Sequence, residues 1–270
     1  MQPTPHRGPL CTRSSLTNDL RKLGLNSGDT VLLHSSLSRV GWISGGAETL
    51  VHSLLDVLTP QGTLAVPTHT GGNTDPAGWA NPPVPEERWQ TIRDTMPAFD
   101  RRISRSERMG VIPEVVRNWP GAVRSTHPQT SFSAVGANAH FVTEGHALDC
   151  LFGEQSPLAR LEKINAKVLL LGVDFDVCTC FHLAEYRVDS RKADNSFSAF
   201  QDGSRTWVTV SDVAVSDEDF LELGKDLVAE TDVTKGEVGG AQCCLLSLPQ
   251  AVKFAEKWFL SHRICGNSHS

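Results

Sequence analysis

Three short apolar runs limit the fold of this chain more than any other feature. They are rich in branched side chains and read TVLLHSSL, TLAVPTH and KVLLLGV. Runs of this length and composition predict buried strands. Helical patterns lie between them, the clearest from Ala47 to Leu58. Strands that alternate with helices in this way predict an α/β fold.

The remainder of the chain continues this alternation. A helix is expected over residues 15–25 with Ser15 or Thr17 as its N-cap, and another over residues 111–119. Strands are expected at SFSAVG, TWVTV and AQCCLLSL, and helices at HFVTEGH, HLAEYR, DEDFLELGKDLVAE and PQAVKFAEKWFLSH. The expected fold is α/β, a mixed central sheet flanked by helices. No change in composition marks a linker, so any second lobe is poorly separated: residues 1–14 are expected to be a flexible arm and 15–270 a single domain.

The charge balance limits the partners. The chain has 31 Asp or Glu against 25 Lys or Arg, a net charge of −6, and no Lys/Arg cluster. It lacks the basic surface of a nucleic-acid-binding protein but could attract a cationic small molecule. No apolar stretch approaches the roughly 18 residues of a membrane helix, and the first residues lack the apolar run of a secretory signal. Seven irregularly spaced cysteines favour reduced thiols, so a cytoplasmic protein without membrane association is expected.

Residues 71–107 interrupt the alternation. Gly, Pro, Trp, Asn and charged residues crowd together here with little periodicity. A stretch this long in a compact chain is usually either disordered or a functional loop. Trp79, Trp89 and Phe99 favour an ordered loop. Its carboxylates and aromatic rings suit ammonium groups and sugar rings, and the alternative is a solvated loop pinned by those aromatic residues.

The segment CTCFHLAEYR follows the strand KVLLLGV and contains His182 and Glu185. If a helix begins here with Thr179 as N-cap, the two side chains share one face and can touch. The carboxylate would then orient a base useful near neutral pH, at the strand end where α/β sheets bind ligands. Two alternatives stay open: a metal ligand beside Cys178 and Cys180, or a histidine that only satisfies backbone groups.

A second candidate site is the segment HSSLSRVGWISGG, residues 34–46, which directly follows another strand. Its serines and the glycines Gly41, Gly45 and Gly46 precede a helix, so free backbone N–H groups there could receive phosphate or pantetheine oxygens. The glycines fit neither a Walker loop nor a dinucleotide fingerprint. A turn-rich start of a helix is the alternative.

A third candidate site is the segment RSTHPQTSF, in which His127 precedes a proline. The proline disfavours a helical conformation at His127 and predicts a rigidly placed loop imidazole, either functional or structural. No G-x-S-x-G nucleophile elbow is present, so covalent hydrolase chemistry has little support.

Four segments in order resemble the aminoglycoside N3-acetyltransferase family of antibiotic acetyltransferases. They are LLHSSLSRVGWISGGAETLVHSLLDVLTPQGTLAVPT, FDRRISRSERMGVIPEVVRNWPGAVRSTHPQTSFSAVG, SPLARL and VLLLGVDFDVCTCFHLAEYR. The resemblance extends from about residue 15 to the final helix, and KGEVGGAQCCLLSLPQAVKFAEKWF is similar to the closing strand and helix of the family. The most specific parts are H-S-S-L-S, the run M-G-x-I-P-E to R-S-x-H-P, and H-x-A-E.

The resemblance implies transfer of the acetyl group of acetyl-CoA to an amine by direct transfer in a ternary complex. His182 matches the family's base and Glu185 its partner, and Thr179 or a backbone N–H would support the thioester oxyanion. No metal is expected. The residues that match the family's CoA-binding surface are His34, Ser35, Ser36, Leu37, Ser38, Gly41, Arg108, Met109 and Gly110.

The acceptor implied by the resemblance is the 3-amino group of an aminoglycoside. The candidates for binding it are Asp75, Trp79, Asp100 and His127. Two carboxylates are few for a tetracationic ligand, so a different small amine, or CoA binding without turnover, stays open as an alternative. The sequence leaves the oligomeric state open, with a homodimer as one option.

Overall fold

The computed structural model describes residues 8–188 and 190–264, in which a sheet lies between two layers of helices. The strands are β1 Leu10–Cys11, β2 Thr30–Ser35, β3 Trp42–Ile43, β4 Thr63–Pro67, β5 Val123–Arg124, β6 Phe132–Gly136, β7 Lys167–Leu171, β8 Lys192–Gln201, β9 Ser204–Val213, β10 Thr234–Val238 and β11 Ala241–Ser247. The α-helices are α1 Arg13–Lys22, α2 Leu37–Val40, α3 Gly46–Leu58, α4 Trp89–Thr95, α5 Val111–Arg117, α6 Ala139–Thr143, α7 Pro157–Lys163, α8 Phe181–Glu185, α9 Phe220–Glu230 and α10 Leu248–Phe259.

Seven strands form the central sheet in the order β10–β11–β7–β2–β4–β6–β5. The middle strand β2 is parallel to β4 and to β7, and the four remaining pairs are antiparallel. The predicted mixed α/β sheet is therefore confirmed. Because β2, β4 and β7 run in the same direction, their carboxyl ends meet at one edge of the sheet.

The two faces of the sheet carry separate hydrophobic cores. Leu32 of β2 packs into the core formed with α6, α7, α8, α9 and α10, whereas its neighbours Val31 and Leu33 pack into the core formed with α1, α3 and α5. Alternate residues of a strand point to opposite faces, so a strand covered on both sides must be apolar throughout. This is why β2, β4 and β7 appear in the sequence as continuous apolar runs.

The N-terminal segment belongs to the fold over the residues that are described. Leu10–Cys11 pairs in parallel with Trp42–Ile43, and Cys11 is buried. The predicted boundary of a flexible arm at residue 14 therefore falls inside helix α1, and strand pairing already begins at residue 10. Residues 1–7 of that predicted arm lie outside the described residues.

Helix α1 begins two residues earlier than its predicted start. Its N-cap is Thr12, whose hydroxyl accepts from the backbone N–H of Ser15 while the Ser15 hydroxyl accepts from the N–H of Thr12. Ser15 is thus the third helical residue of a capping box. The prediction of Ser15 or Thr17 as the N-cap was wrong, because the helical spacing of the apolar residues does not locate the cap itself.

A hairpin of β8 and β9 lies outside the central sheet and is paired along its whole length. Its residues Phe197, Ala199 and Val208 form a small third core. Asn73 joins residues 71–107 to this hairpin through two 2.8 Å hydrogen bonds with the backbone of Ser198. The hairpin and residues 71–107 are therefore joined to each other outside the central sheet. None of the described helices is long and apolar enough to cross a membrane.

Candidate active site

A cavity of about 590 Å³ opens at the sheet edge where β2, β4 and β7 end. His34, near the carboxyl end of β2, and His69, Thr179 and His182, from the segments that follow β4 and β7, contribute to its wall. All but one of the residues predicted to bind the cofactor also line it, namely His34, Ser35, Ser36, Leu37, Ser38, Arg108, Met109 and Gly110. The structure thus brings together two segments that lie about 70 residues apart in the sequence.

Gly41 is the exception among the predicted cofactor residues. It does not line the cavity, and its backbone has a φ of 111°. A Cβ atom at this position would lie 2.7 Å from the carbonyl oxygen of Pro9. Glycine is therefore needed here for the conformation and for the close approach of the backbone, which is a structural role.

His182 and Glu185 form a buried pair on α8. The Nδ1 atom of His182 lies 2.6 Å from Oε2 of Glu185, and the two residues are 8% and 1% exposed. The predicted contact between these side chains is confirmed. A carboxylate can only accept a hydrogen bond, so Nδ1 is the donor and Nε2 is the ring nitrogen left to take up a proton. The ring is held between Phe152, stacked at 4.6 Å, and Phe220 at 4.8 Å.

The second oxygen of Glu185 is also fully engaged. It accepts a 3.0 Å hydrogen bond from the backbone N–H of Ser216 and another from the guanidinium of Arg263. Arg263 in turn forms a bidentate pair with Asp219, with distances of 2.7 and 2.5 Å. The carboxylate is therefore fixed in position by partners 31 and 78 residues away, which sequence reasoning did not identify.

Thr179 does not cap the helix. Helix α8 begins at Phe181 after Cys180, which makes no side-chain cap hydrogen bond, so the predicted N-cap was wrong. The hydroxyl of Thr179 instead lies 3.3 Å from Nε2 of His34, on the cavity wall. Burial, followed by the charge of His182, lowers the pKa of His34 to about 3, so this imidazole is neutral at neutral pH.

The alternative of a metal site beside His182 has no geometric support. Cys178 and Cys180 are buried, with their sulfur atoms 3.5 Å apart. Within residues 8–188 and 190–264, no three His, Cys, Asp or Glu side chains are placed to hold a metal ion.

His69 is a further cavity residue that sequence reasoning missed. It comes two residues after β4, at the same sheet edge as His34 and His182. Burial, with smaller effects of His182 and His34, lowers its pKa to about 3. The sheet-edge rule could have identified it, since TLAVPTH ends with this histidine.

The two carboxylates predicted to bind the acceptor are already paired with arginines. Asp75 accepts from Arg93 at 3.0 and 2.8 Å, and Asp100 pairs with Arg102 at 2.7 Å. Hydrogen bonds from these arginines lower the pKa of Asp75 and bring that of Asp100 to about 2. Neither carboxylate lines the cavity that contains His182.

Trp79 lines a second cavity of about 570 Å³, together with Gly71, Gly72 and Glu107. Arg108 lines both cavities, so they adjoin at this residue. Trp79 therefore lies in a cavity next to the one that contains His182.

His127, the remaining predicted acceptor residue, has no exposed surface. Its Nδ1 accepts 3.1 Å hydrogen bonds from the backbone N–H groups of Gln129 and Thr130, and its Nε2 lies 3.2 Å from the carbonyl oxygen of Leu148. Both ring nitrogens are satisfied within the protein, which supports the structural interpretation of this histidine rather than a substrate contact.

The chain combines a mixed α/β sheet with a buried His–Glu pair at a cavity on its edge, and its sequence places it among the N-acetyltransferases. The sequence model of the family described as aminoglycoside 3-N-acetyltransferase matches residues 32–260, and the chain belongs to that family.

The SPbeta prophage-derived aminoglycoside N(3')-acetyltransferase-like protein YokD of Bacillus subtilis is 45% identical over 253 residues, which cover 93% of each chain. Its crystal structure superposes with a TM-score of 0.92 over 97% of this chain and 96% of that one, at 42% identity. Aminoglycoside N(3)-acetyltransferase III of Pseudomonas aeruginosa is 34% identical over 93% of this chain and 94% of its own. A structure of AAC-IIIb with CoASH has a TM-score of 0.83 at 31% identity, covering 93% of this chain and 97% of that one.

Proposed function

We propose that the protein transfers the acetyl group of acetyl-CoA directly to the 3-amino group of an aminoglycoside, with His182 as the general base. The observation that carries this proposal is the buried His182–Glu185 pair, which opens into a cavity lined by the two predicted CoA-binding segments. Membership of the family and the relative solved with CoASH support the same substrates.

The cavity has the chemistry that the pantetheine arm of acetyl-CoA requires. Leu37, Met109 and Val177 offer apolar surface for its methylene groups. Ser36 and Ser38, whose hydroxyls lie 3.2 Å apart, offer polar atoms for its amides. Such a mixture of apolar wall and a few polar groups is typical of cosubstrate sites.

In the proposed reaction the acceptor nitrogen attacks the thioester carbon while Nε2 of His182 accepts the amine proton. The carbon–sulfur bond breaks, the acetyl group becomes an amide, and the proton finally reaches the sulfur, so that CoA leaves as a thiol. Glu185 stabilises the imidazolium form of His182 that exists between these proton transfers. The Thr179 hydroxyl or a backbone N–H would support the oxyanion.

One observation favours a second acceptor class, a less cationic small amine. Asp75 and Asp100 are neutralised by arginines, and residues 71–108 contain six Asp or Glu and six Arg. This segment therefore has no net charge, and Arg108 lies between the two cavities. A polycation would find little long-range attraction here.

A thiol-release assay with acetyl-CoA tests both acceptor classes. The panel contains several aminoglycosides and simple monoamines, and mass spectrometry identifies the acetylated product. We expect release of thiol together with one acetyl group on an acceptor. In His182→Ala, kcat should fall by about 10² to 10⁴, as for loss of a general base.

The matched control is His140→Ala, because His140 is exposed on α6 and does not line the cavity. This variant should retain wild-type activity. Acetyl-CoA binding without thiol release for every acceptor would contradict the proposal and support the binding alternative. Activity of His182→Ala within a few-fold of wild type would remove His182 from the role of base.

A further inference from the structure

His69 is held firmly in the wall of the main cavity. The backbone N–H groups of its neighbours Thr68 and Thr70 donate 2.8 Å hydrogen bonds to Ser131 and Gln129. The carbonyl oxygen of His69 accepts from the N–H of Glu107 at 2.8 Å. The backbone is therefore fixed on both sides of this residue, and the imidazole has a defined position.

The ring of His69 shares an aromatic neighbour with His182. It packs against Phe152 at 5.5 Å and against Phe132 at 5.3 Å, and Phe152 also stacks on His182. The two imidazoles thus both line the cavity, and both are in contact with the same phenylalanine.

The Nε2 atom of His69 is buried and has no hydrogen-bond partner among residues 8–188 and 190–264. Four histidines are buried as whole residues in this part of the protein, and each has a partner for a ring nitrogen: His34, His127, His146 and His182. An unpaired buried polar atom destabilises the folded protein. A histidine kept in this state at a cavity wall indicates that a ligand supplies the missing partner.

The electrostatic surroundings of His69 select the kind of ligand atom. The charged groups that lower its pKa are all cationic or can become so: His182, His34, His127 and Arg124. The ring itself is neutral at neutral pH, so it can donate a hydrogen bond without adding a charge that would oppose an imidazolium at His182. A neutral N–H donor, with the guanidinium of Arg124 as the permanent cation nearby, suits an oxygen that gains negative charge.

We propose that His69 is a further catalytic residue, whose neutral Nε2–H donates a hydrogen bond to the carbonyl oxygen of the acyl thioester. When the amine attacks, this oxygen takes up negative charge and the hydrogen bond strengthens; when the carbon–sulfur bond breaks, the charge returns to the carbonyl. The proton of His69 stays on its nitrogen throughout. This role rests on the proposed acetyl transfer and adds a donor to the one assigned to Thr179.

Two substitutions separate this role from packing. His69→Phe keeps a flat ring between Phe132 and Phe152 but removes the donor. His69→Gln keeps an N–H donor on a side chain of similar reach. We expect His69→Phe to lower kcat about 10² to 10³-fold, as for loss of one oxyanion donor, with an unchanged acceptor KM and a melting temperature no lower than wild type. We expect His69→Gln to restore most of the rate. His140→Phe, on the exposed face of α6, is the control and should behave as wild type.

A spectroscopic measurement tests the hydrogen bond without turnover. With acetyl-CoA labelled with ¹³C at the carbonyl, the thioester stretch of the bound molecule should lie at lower frequency in wild type than in His69→Phe. Equal frequencies, or equal kcat in wild type and His69→Phe, would overturn the proposal for His69 and leave the acetyl transfer intact. A lower frequency in wild type would support His69 even if no acceptor in the panel were acetylated. Failure of acetyl-CoA to bind would refute the proposed function and this inference together.

Discussion

Glu185 uses both oxygens of one buried carboxylate to fix the candidate base. Oε2 holds His182, whereas Oε1 holds the N–H of Ser216 and the guanidinium of Arg263. The first contact could be predicted from the sequence, because residues three apart on one helix are neighbours. The other two could not, since they depend on how distant segments pack. Arg263 thus acts on His182 only through Glu185, as a positioning residue.

Arg263→Gln tests this indirect role. The substitution removes the charge that balances Glu185 and Asp219, so the carboxylate is held less firmly and orients His182 less well. We expect kcat to fall about tenfold or more, while the KM for acetyl-CoA changes little. Steady-state kinetics measure kcat and the KM for acetyl-CoA, and thermal unfolding measures the stability of the variant. Arg263→Lys should recover part of the lost kcat.

The matched control for Arg263 is Arg117→Gln. Arg117 forms a similarly close pair with Glu114 at 2.7 Å, but it donates its hydrogen bonds to Glu114 and Arg102 and not to Glu185. This variant should lose stability and retain kcat. An unchanged kcat in Arg263→Gln would show that the Ser216 N–H alone positions Glu185.

Helices and strands with a regular spacing of apolar residues could be predicted from the sequence, whereas the β8–β9 hairpin could be predicted only in part. The strand TWVTV was predicted within β9, but its partner β8, KADNSFSAFQ, has little alternation and was missed. The turn between them, Asp202–Gly203, has two positive φ angles, 48° and 77°. Asp-Gly is a strong signal for a two-residue hairpin turn, so this pairing was available from the sequence. The arginine partners of Asp75 and Asp100 could not be predicted from the sequence, because they lie in a segment without periodicity.

Helix α9 positions Phe220 against His182, and its packing depends on Gly224. A Cβ atom added at Gly224 would lie 2.2 Å from Cγ of Phe175. In an isolated helix, Gly→Ala would stabilise by about 1 kcal/mol, so a destabilising result reports the clash. We expect Gly224→Ala to destabilise the protein by about 1–3 kcal/mol, which lowers the melting temperature by roughly 2–4 °C per kcal/mol, and to reduce kcat.

Gly78→Ala is the control for this helix packing. A Cβ atom added at Gly78 would have no other atom within 4 Å, and Gly78 has no positive φ. The melting temperature of the Gly78→Ala variant should therefore stay near that of wild type. A Gly224→Ala variant more stable than wild type would contradict this prediction, because it would mean that α9 can move away from Phe175 without a loss of stability.

At the scale of the whole molecule, the mixed sheet and the edge that carries the site could be predicted, because they follow from which apolar runs are continuous. The group of histidines with lowered pKa values could not be predicted from the sequence. His34, His69, His127 and His146 come from four separate segments, and burial is the largest cause that lowers the pKa of each. The printed sequence shows them only as scattered residues, since burial is a property of the assembled fold.

These four histidines predict how stability depends on pH. Their pKa values are about 3 for His34 and His69, about 4 for His127, and well below the usual value for His146. In the unfolded chain each should titrate near the ordinary value of about 6.5. At pH values between the folded and the unfolded pKa, the unfolded state binds more protons than the folded state. The contribution of these histidines to the free energy of unfolding is therefore fully present above about pH 6.5 and is lost as the pH falls.

Four such groups give a slope of about 5 kcal/mol per pH unit once the unfolded histidines are protonated. Because a folded domain has only about 5–15 kcal/mol of stability, the protein should unfold between about pH 6 and pH 4. Urea unfolding at intervals from pH 7.5 to 4.5 measures this slope. His69→Phe removes one of the four groups and should reduce it by about a quarter, whereas His140→Phe, which changes an exposed histidine, should leave it as in wild type. A stability that stays constant from pH 7 to pH 5 would mean that these histidines become protonated within the folded protein.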